Sequence, residues 1–477
     1  MKHGFYLTFL LTFFGLNTVF GAEKVLSSPD SNIKVEIIIG DRLYYRVKYK
    51  DNIVMQASPL SLTINKNQLG KSPKLLKANE SKTDQIIRTV WGNRKEIIDQ
   101  FNELTLDFEG NYSLQFRAYD HGVAYRFVTN LKEKDVIVNS EEVAYRFDFG
   151  TNAWLLEGPS YESNFKFTPL DVEEITNFQN SMEKIYLPAF IEVKNKVRIA
   201  ITEAGLYDYP SLFLNRGNDY ENYMLGVFEN YALTTTVGGF SNYSKLSDTS
   251  ADYIAKTAGS RAYPWRLLVI SDDDAVFADN NLVYQLAAPC AYQDTDWIRP
   301  GKVAWDWWHD YAVKGEDFEG GINTKTYLYQ IDFAAKYNIE YILVDWMWTD
   351  KYDLSLFNPN VDIKKIIDYG KNKNVGVMLW CPGHTLHEQL DQALDLFSGL
   401  GAAGVKADFF GREDQTCIKM YEDIAIAAAK RKMLVDFHGC TKPTGIERTY
   451  PNIINYEAVL GNEYNKLAPE NVPSAIR

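Results

Sequence analysis

Two rhythms of apolar and polar residues divide the chain. From residue 23 to about 285 short alternating runs recur, among them NIKVEIII, LYYRVKYK, YSLQFRAYD, VAYRFVT and VRIAITEAG, separated by turns rich in Asn, Asp, Gly and Ser. A period of two marks a strand with one buried face. Helical periodicity is almost absent here, so the region predicts a large two-sheet β-sandwich over 23–285.

The second rhythm starts near residue 300. Continuous apolar runs alternate with amphipathic stretches. KVAWDWW (302–308) precedes NTKTYLYQIDFAAKYN, and YILVDW (341–346) precedes DIKKIIDYGKNKN. VGVMLW (375–380) precedes TLHEQLDQALDLFSGLG, and GVKADFF (404–410) precedes DQTCIKMYEDIAIAAAKRK. LVDFHG (434–439) and IINYEAV (453–459) end the series. Such strand–helix alternation predicts a parallel sheet buried on both faces. The unit length suits a (β/α)8 barrel over 286–477. No Gly-rich phosphate turn supports a doubly wound sheet. A closed barrel needs eight strands and about 250 residues. Six strands are expected here, so the sequence predicts a barrel cut short after its sixth strand. The fold class is thus multidomain β plus α/β.

Residues 1–22 carry a different pattern. Lys2 and His3 precede an apolar run from Phe5 to Val19, and the small residues Gly21 and Ala22 precede Glu23 and Lys24. This reads as a signal peptide and implies export, with a periplasmic location expected. No second apolar run of membrane-spanning length follows, so no integral membrane segment is expected after signal removal.

Composition narrows the chemistry. The net charge of −13 argues against nucleic acid and anionic membrane surfaces as partners. Aromatic residues make up 14%, with 10 Trp and 31 Tyr. That suits stacking against sugar rings as well as packing in sheets. The four cysteines are too few for a disulfide scaffold. Cys381, His384 and His387 lie close in sequence, but a zinc site would lack a fourth ligand.

Barrel active sites lie at the C-terminal ends of the strands. Those ends carry Trp305, Asp306, Trp307 and Trp308, then Asp345, Trp346 and Trp348, then Trp380, Lys406, Asp408, Asp436, His438, Glu457 and Glu463. Carboxylates, tryptophans, one Lys and one His on one rim make a sugar-site composition. Asp306 or Asp436 taken alone reads better as a loop cap or as the partner of a barrel Arg. Asp408 lies within an apolar strand, where an unpaired carboxylate is costly. Lys406, two residues earlier, faces the same side and could be its structural partner.

The segments PGKVAWDWWHDY, GVKADFFGREDQ, LVDFHGCTKPTGIERTYPN and EAVLGNEYNK resemble glycoside hydrolase family 97. LSSPDSNIKVEIII, ITEAGLYDYP and YPWRLLVISD resemble that family's N-terminal sandwich. The resemblance implies a β-super-sandwich, a catalytic (β/α)8 barrel and a small C-terminal β domain, the last not found here. Inverting members place a Glu base directly after the strand-five His; here that position is Gly439. Retaining α-galactosidase-like members use a strand-four Asp as nucleophile, which matches Asp408. Their general acid/base matches Glu463. The resemblance also implies a calcium ion (Ca2+) bound through Glu203, Glu457 and Glu463.

The resemblance therefore implies a retaining exo-acting α-galactosidase whose partner is an oligosaccharide or glycoside substrate. Trp305, Asp345, Trp380, Lys406 and His438 are the expected sugar-binding set. An α-glucosidase or other α-glycosidase of the same family, and a non-catalytic carbohydrate-binding fragment, are the alternatives. Relative turnover of nitrophenyl α-galactoside and α-glucoside separates the first pair. Sugar binding without turnover marks the last.

Overall fold

The structure, a computed structural model, describes residues 22–170, 184–216 and 222–467. The expected signal peptide lies, apart from Ala22, outside the described residues. No helix among the described residues is long and apolar enough to cross a membrane.

Antiparallel strands dominate from Ala22–Ser27 to Trp265–Ser271. The period-two pattern places side chains as expected. Along Leu43–Tyr49 buried and half-buried residues alternate without a break. Ile33, Val35, Ile37, Tyr45, Val47, Leu114 and Phe116 fill the core. The layers belong to one hydrogen-bonded set of 17 strands rather than to two separate sheets. The reason is the 25-residue strand Gly122–Arg146, too long for one sheet. It pairs in turn with Tyr112–Tyr119, Trp265–Ser271, Ala255–Ala262, Asn52–Ile64 and Tyr223–Val227. A two-stranded hairpin, Ala232–Gly238 with Ser244–Ser250, stands apart from this set.

The second unit is a six-stranded parallel sheet in chain order: Val303–Trp305, Tyr341–Val344, Gly376–Pro382, Gly404–Asp408, Leu434–Phe437 and Ile453–Tyr456. It is an incomplete (β/α)8 barrel. Helices Thr324–Tyr337, Ile363–Asn372 and Gln415–Ala429 begin at Asn323, Asp362 and Asp414, whose side chains accept from free first-turn N–H groups. Two expected elements differ in detail. The first strand stops at Trp305 because Asp306 turns the chain, accepting from Trp307 N at 2.7 Å. The helix expected over 385–401 is two, Gly383–Glu388 and Leu390–Leu400, divided at Gln389. The sandwich docks on the C-terminal ends of the barrel strands. Among the ties are Gly205 N to Thr444 O at 2.7 Å and Ser211 N to Glu413 O at 3.1 Å.

Candidate active site

The cleft at the C-terminal ends of the barrel strands has a volume of about 900 Å³. Its floor comes from regular strands. Parallel register places Trp380, Lys406 and Asp436 side by side on neighbouring strands. Lys406 and Asp408, two apart on one strand, project to the same face, with 3.7 Å between Nζ and Oδ2. Lys406 Nζ also donates to Asp345 Oδ2 at 2.9 Å, and Trp305 Nε1 donates to the same oxygen at 2.7 Å. The ammonium lies over the Trp305 ring at 4.4 Å. Asp408 Oδ2 accepts from Trp380 Nε1 at 2.9 Å, and its Oδ1 accepts from Phe409 N at 2.7 Å.

These contacts set the charge states. Burial raises the Asp408 carboxyl from its ordinary value, while Lys406, His438 and the Trp380 hydrogen bond pull it back. Burial opposes the Lys406 charge, but Asp345 and Asp408 outweigh it and raise the ammonium pKa well above its usual value. His438 sits between Glu457 (Nδ1 to Oε2, 2.9 Å) and Asp436 (Nε2 to Oδ2, 3.5 Å). Burial and Lys406 oppose its protonation, but the carboxylates prevail and its pKa is pushed up to about 10. Asp306 is fully buried and caps the loop after the first strand; its Oδ2 also accepts from Asp345 N at 3.2 Å. Asp436 accepts from Asn455 at 2.9 Å.

Glu463, on the loop after the sixth strand, faces the same cleft and accepts from Trp307 Nε1 at 2.9 Å. Burial, then the neighbouring Glu457, raises its carboxyl. The structure thus brings together Trp305, Asp345, Trp380, Lys406, Asp408, His438, Glu457 and Glu463 in one cleft. Gly439 explains how Asp408 finds room. Its φ is +46°, and a Cβ there would lie 3.0 Å from Asp408 Oδ1 and 2.9 Å from Phe409 N. A side chain at 439 would crowd the 408 carboxylate and the Phe409 backbone, and would sit in a left-handed conformation that favours glycine.

Glu203 does not join the cleft, which corrects its place in the expected calcium set. It lies on strand Arg198–Ala204 in direct register with Arg266 of the neighbouring strand. Its Oε2 pairs with Arg266 Nη1 at 2.5 Å, and its Oε1 pairs with Lys442 Nζ at 2.6 Å. Burial would raise its carboxyl, but Lys442 and Arg266 hold it below the ordinary range. Leu212 N and Ser211 Oγ also donate to Oε1, at 2.9 and 3.3 Å, so this fully buried carboxylate is already occupied by protein donors on both oxygens.

The sandwich contributes a different acid, Glu162, on the loop after strand Asn152–Glu157. Tyr464, next to Glu463, donates its hydroxyl to Glu162 Oε2 at 2.5 Å. Burial, reinforced by Glu457, Asp408 and Glu463, pushes the Glu162 carboxyl up to about 7. Glu457 Oε1 and Glu463 Cγ both lie within 4 Å of where a Cβ on Gly461 would stand. Each of the three carboxylates now holds a protein donor, and the described residues gather no His, Cys, Asp and Glu cluster into a metal site. In donor chemistry, three acids crowding one cleft fit a hard cation such as calcium. No periodic signal marks Glu162 in the sequence. Its only cue is an irregular GPSYESN loop between strands. Cys381, His384 and His387 do not converge: His384 Nε2 contacts Phe410 O at 2.5 Å, and His387 pairs with Asp423 at 3.1 Å.

The chain matches the family model described as Glycoside hydrolase 97 over residues 305–459 and that described as Glycosyl-hydrolase 97 N-terminal over 26–289. It is 35% identical over 479 residues to a retaining alpha-galactosidase of Bacteroides thetaiotaomicron, across 98% of this chain and 72% of that protein. It is 26% identical to a probable retaining alpha-galactosidase of Streptomyces bingchenggensis, across 92% of this chain and 64% of that one. In fold it resembles a Glycoside Hydrolase Family 97 enzyme from Pseudoalteromonas sp. strain K8, solved with acarbose. The TM-score is 0.79 at 23% identity, covering 93% of this chain and 70% of that one.

Proposed function

The chain belongs to the glycoside hydrolase 97 family and is a glycoside hydrolase, and from that premise we propose that it is a retaining α-galactosidase. The reading rests on one observation. Asp408 occupies the space beside Gly439 and presents a buried carboxylate to the cleft, where an inverting enzyme would carry its base.

In the reaction, Asp408 attacks C1 of the terminal sugar as a carboxylate. The C1–O bond breaks, and Glu463 protonates the departing oxygen. Glu463 then takes a proton from water, which attacks C1 and releases Asp408. Two inversions leave the anomeric configuration unchanged. Lys406 and Trp380 favour the ionised nucleophile against the burial that opposes it. The raised Glu463 carboxyl suits an acid that must carry a proton near neutral pH. His438, held protonated, and Asp345 are placed to bind sugar hydroxyls, while Trp305 and Trp380 offer aromatic faces.

Calcium belongs to this proposal through Glu162, Glu457 and Glu463. When bound, it would offset their mutual repulsion and tie the sandwich to the loop that carries Glu463. Galactose as the sugar is supported by the two relatives, one named a retaining and the other a probable retaining alpha-galactosidase. The test is proton NMR of the anomeric signal during early hydrolysis of nitrophenyl α-galactoside. The α-anomer is expected first. Early appearance of the β-anomer would return Asp408 to a structural role, and faster turnover of the α-glucoside would replace galactose by glucose.

A further inference from the structure

The hairpin formed by Ala232–Gly238 and Ser244–Ser250 leaves the sandwich and ends against the barrel mouth. Its turn is held by barrel side chains and backbone. Lys351 Nζ donates to Ser241 O at 2.9 Å, and Arg412 Nε donates to Lys245 O at 3.0 Å. Ser244 Oγ donates to Phe409 O at 2.9 Å, and Trp346 Nε1 donates to the Tyr243 hydroxyl. These anchors follow the second and fourth barrel strands, away from the open edges of the sheet at Val303–Trp305 and Ile453–Tyr456.

The turn presents aromatic rings to the residue after Asp408. Tyr243 lies nearly parallel to Phe409 at 5.1 Å, and Phe240 lies nearly parallel to it at 5.9 Å. Tyr243 is thereby packed away, but Phe240 remains 73% exposed while lining the same cleft as Asp408. A lone exposed aromatic residue needs no explanation. This one is different, because four hydrogen bonds around its turn and one stacked face fix its attitude. The cleft's roughly 900 Å³ also extends outward from the floor residues to this ring.

We propose that Phe240 is the platform of a leaving-group subsite, where the second pyranose ring of the substrate stacks its C–H face while the terminal sugar occupies the floor. The proposal rests on the glycosidase reading above. The sandwich would then supply part of the recognition of what is attached to the scissile oxygen, and the barrel the recognition of the terminal sugar. A platform already ordered before binding loses little freedom when the ring arrives.

The test compares Phe240→Ala and Phe240→Trp with the unaltered full chain on two substrates: an α-glycosyl fluoride, whose leaving group is too small to reach the ring, and a disaccharide with the same terminal sugar. Both galactosyl and glucosyl fluorides are tried first on the unaltered protein. Turnover of neither would overturn the glycosidase reading and the subsite with it. With turnover established, Phe240→Ala should lower kcat/KM on the disaccharide about tenfold more than on the fluoride, the scale of one aromatic stacking contact. Phe240→Trp should restore most of that difference. Equal losses on the two substrates, or no loss on the disaccharide, would overturn the subsite while leaving the glycosidase reading in place.

Discussion

The floor and the rim of the cleft are built on opposite terms. On the floor, Asp345, Lys406 and Asp408 sit on or directly after parallel strands, with a cation between two acids and tryptophan donors on both. On the rim, Glu162, Glu457 and Glu463 come from loops of two domains, and Glu162 and Glu463 are pushed toward the neutral form. On the floor both acids share a cation before any ligand arrives. The rim carries an excess of acid and is completed by what binds. Under the proposed mechanism, the comparison teaches that rigid strands would hold the group that must stay ionised, while loops would hold the groups that exchange a proton or accept a cation.

That contrast can be broken at its strongest point first. Asp408→Asn should lower kcat on nitrophenyl α-galactoside on the order of 10³-fold or more, measured by steady-state release of nitrophenol. Near-full activity would remove the nucleophile from the floor. Next, Glu203→Ala should cost about 3 kcal/mol of stability, because Arg266 and Lys442 lose a fully buried partner. Chemical denaturation should give the same loss in calcium and in chelator. A loss that vanished in chelator would restore Glu203 as a metal ligand.

Smaller effects sharpen the rim. Glu463→Gln should slow substrates with poor leaving groups about a hundredfold and activated aryl glycosides far less, as loss of a general acid does. A uniform loss across leaving groups would argue for a positioning role. Chelation should lower the Tm of the unaltered chain, by about 1–3 kcal/mol of stability at calcium well above its Kd. In Glu162→Gln most of that shift should disappear. Identical melting of both proteins with and without chelator would exclude calcium from the rim.

The same contrast governs what was legible in the sequence. GVKADFF could be read because an apolar strand with Lys and Asp two apart fixes both side chains on one face. Trp305, Trp380 and His438 were legible for the same reason, each at or just beyond the end of a recognisable strand. Glu162 was not, since an irregular loop has no period to say where its side chains point. Glu203 entered the expected calcium set through the family resemblance alone, and no pattern in its strand shows what it faces. Its true partner, Arg266, is 63 residues away and meets it only through strand pairing. The divided helix at Gln389 was hidden because both halves share one apolar periodicity.

Lys442 carries a consequence for the order in which the protein is made. The sandwich leaves the ribosome first, with Glu203 destined for a fully buried site. Arg266 is available early, but it also pairs with Glu141, so it divides its charge between two acids. The second cation for Glu203 stands on a barrel loop 239 residues later. Until the fifth barrel strand has emerged and docked, the sandwich holds an under-compensated charge at its base. The two units are therefore coupled in maturation as well as in the finished fold.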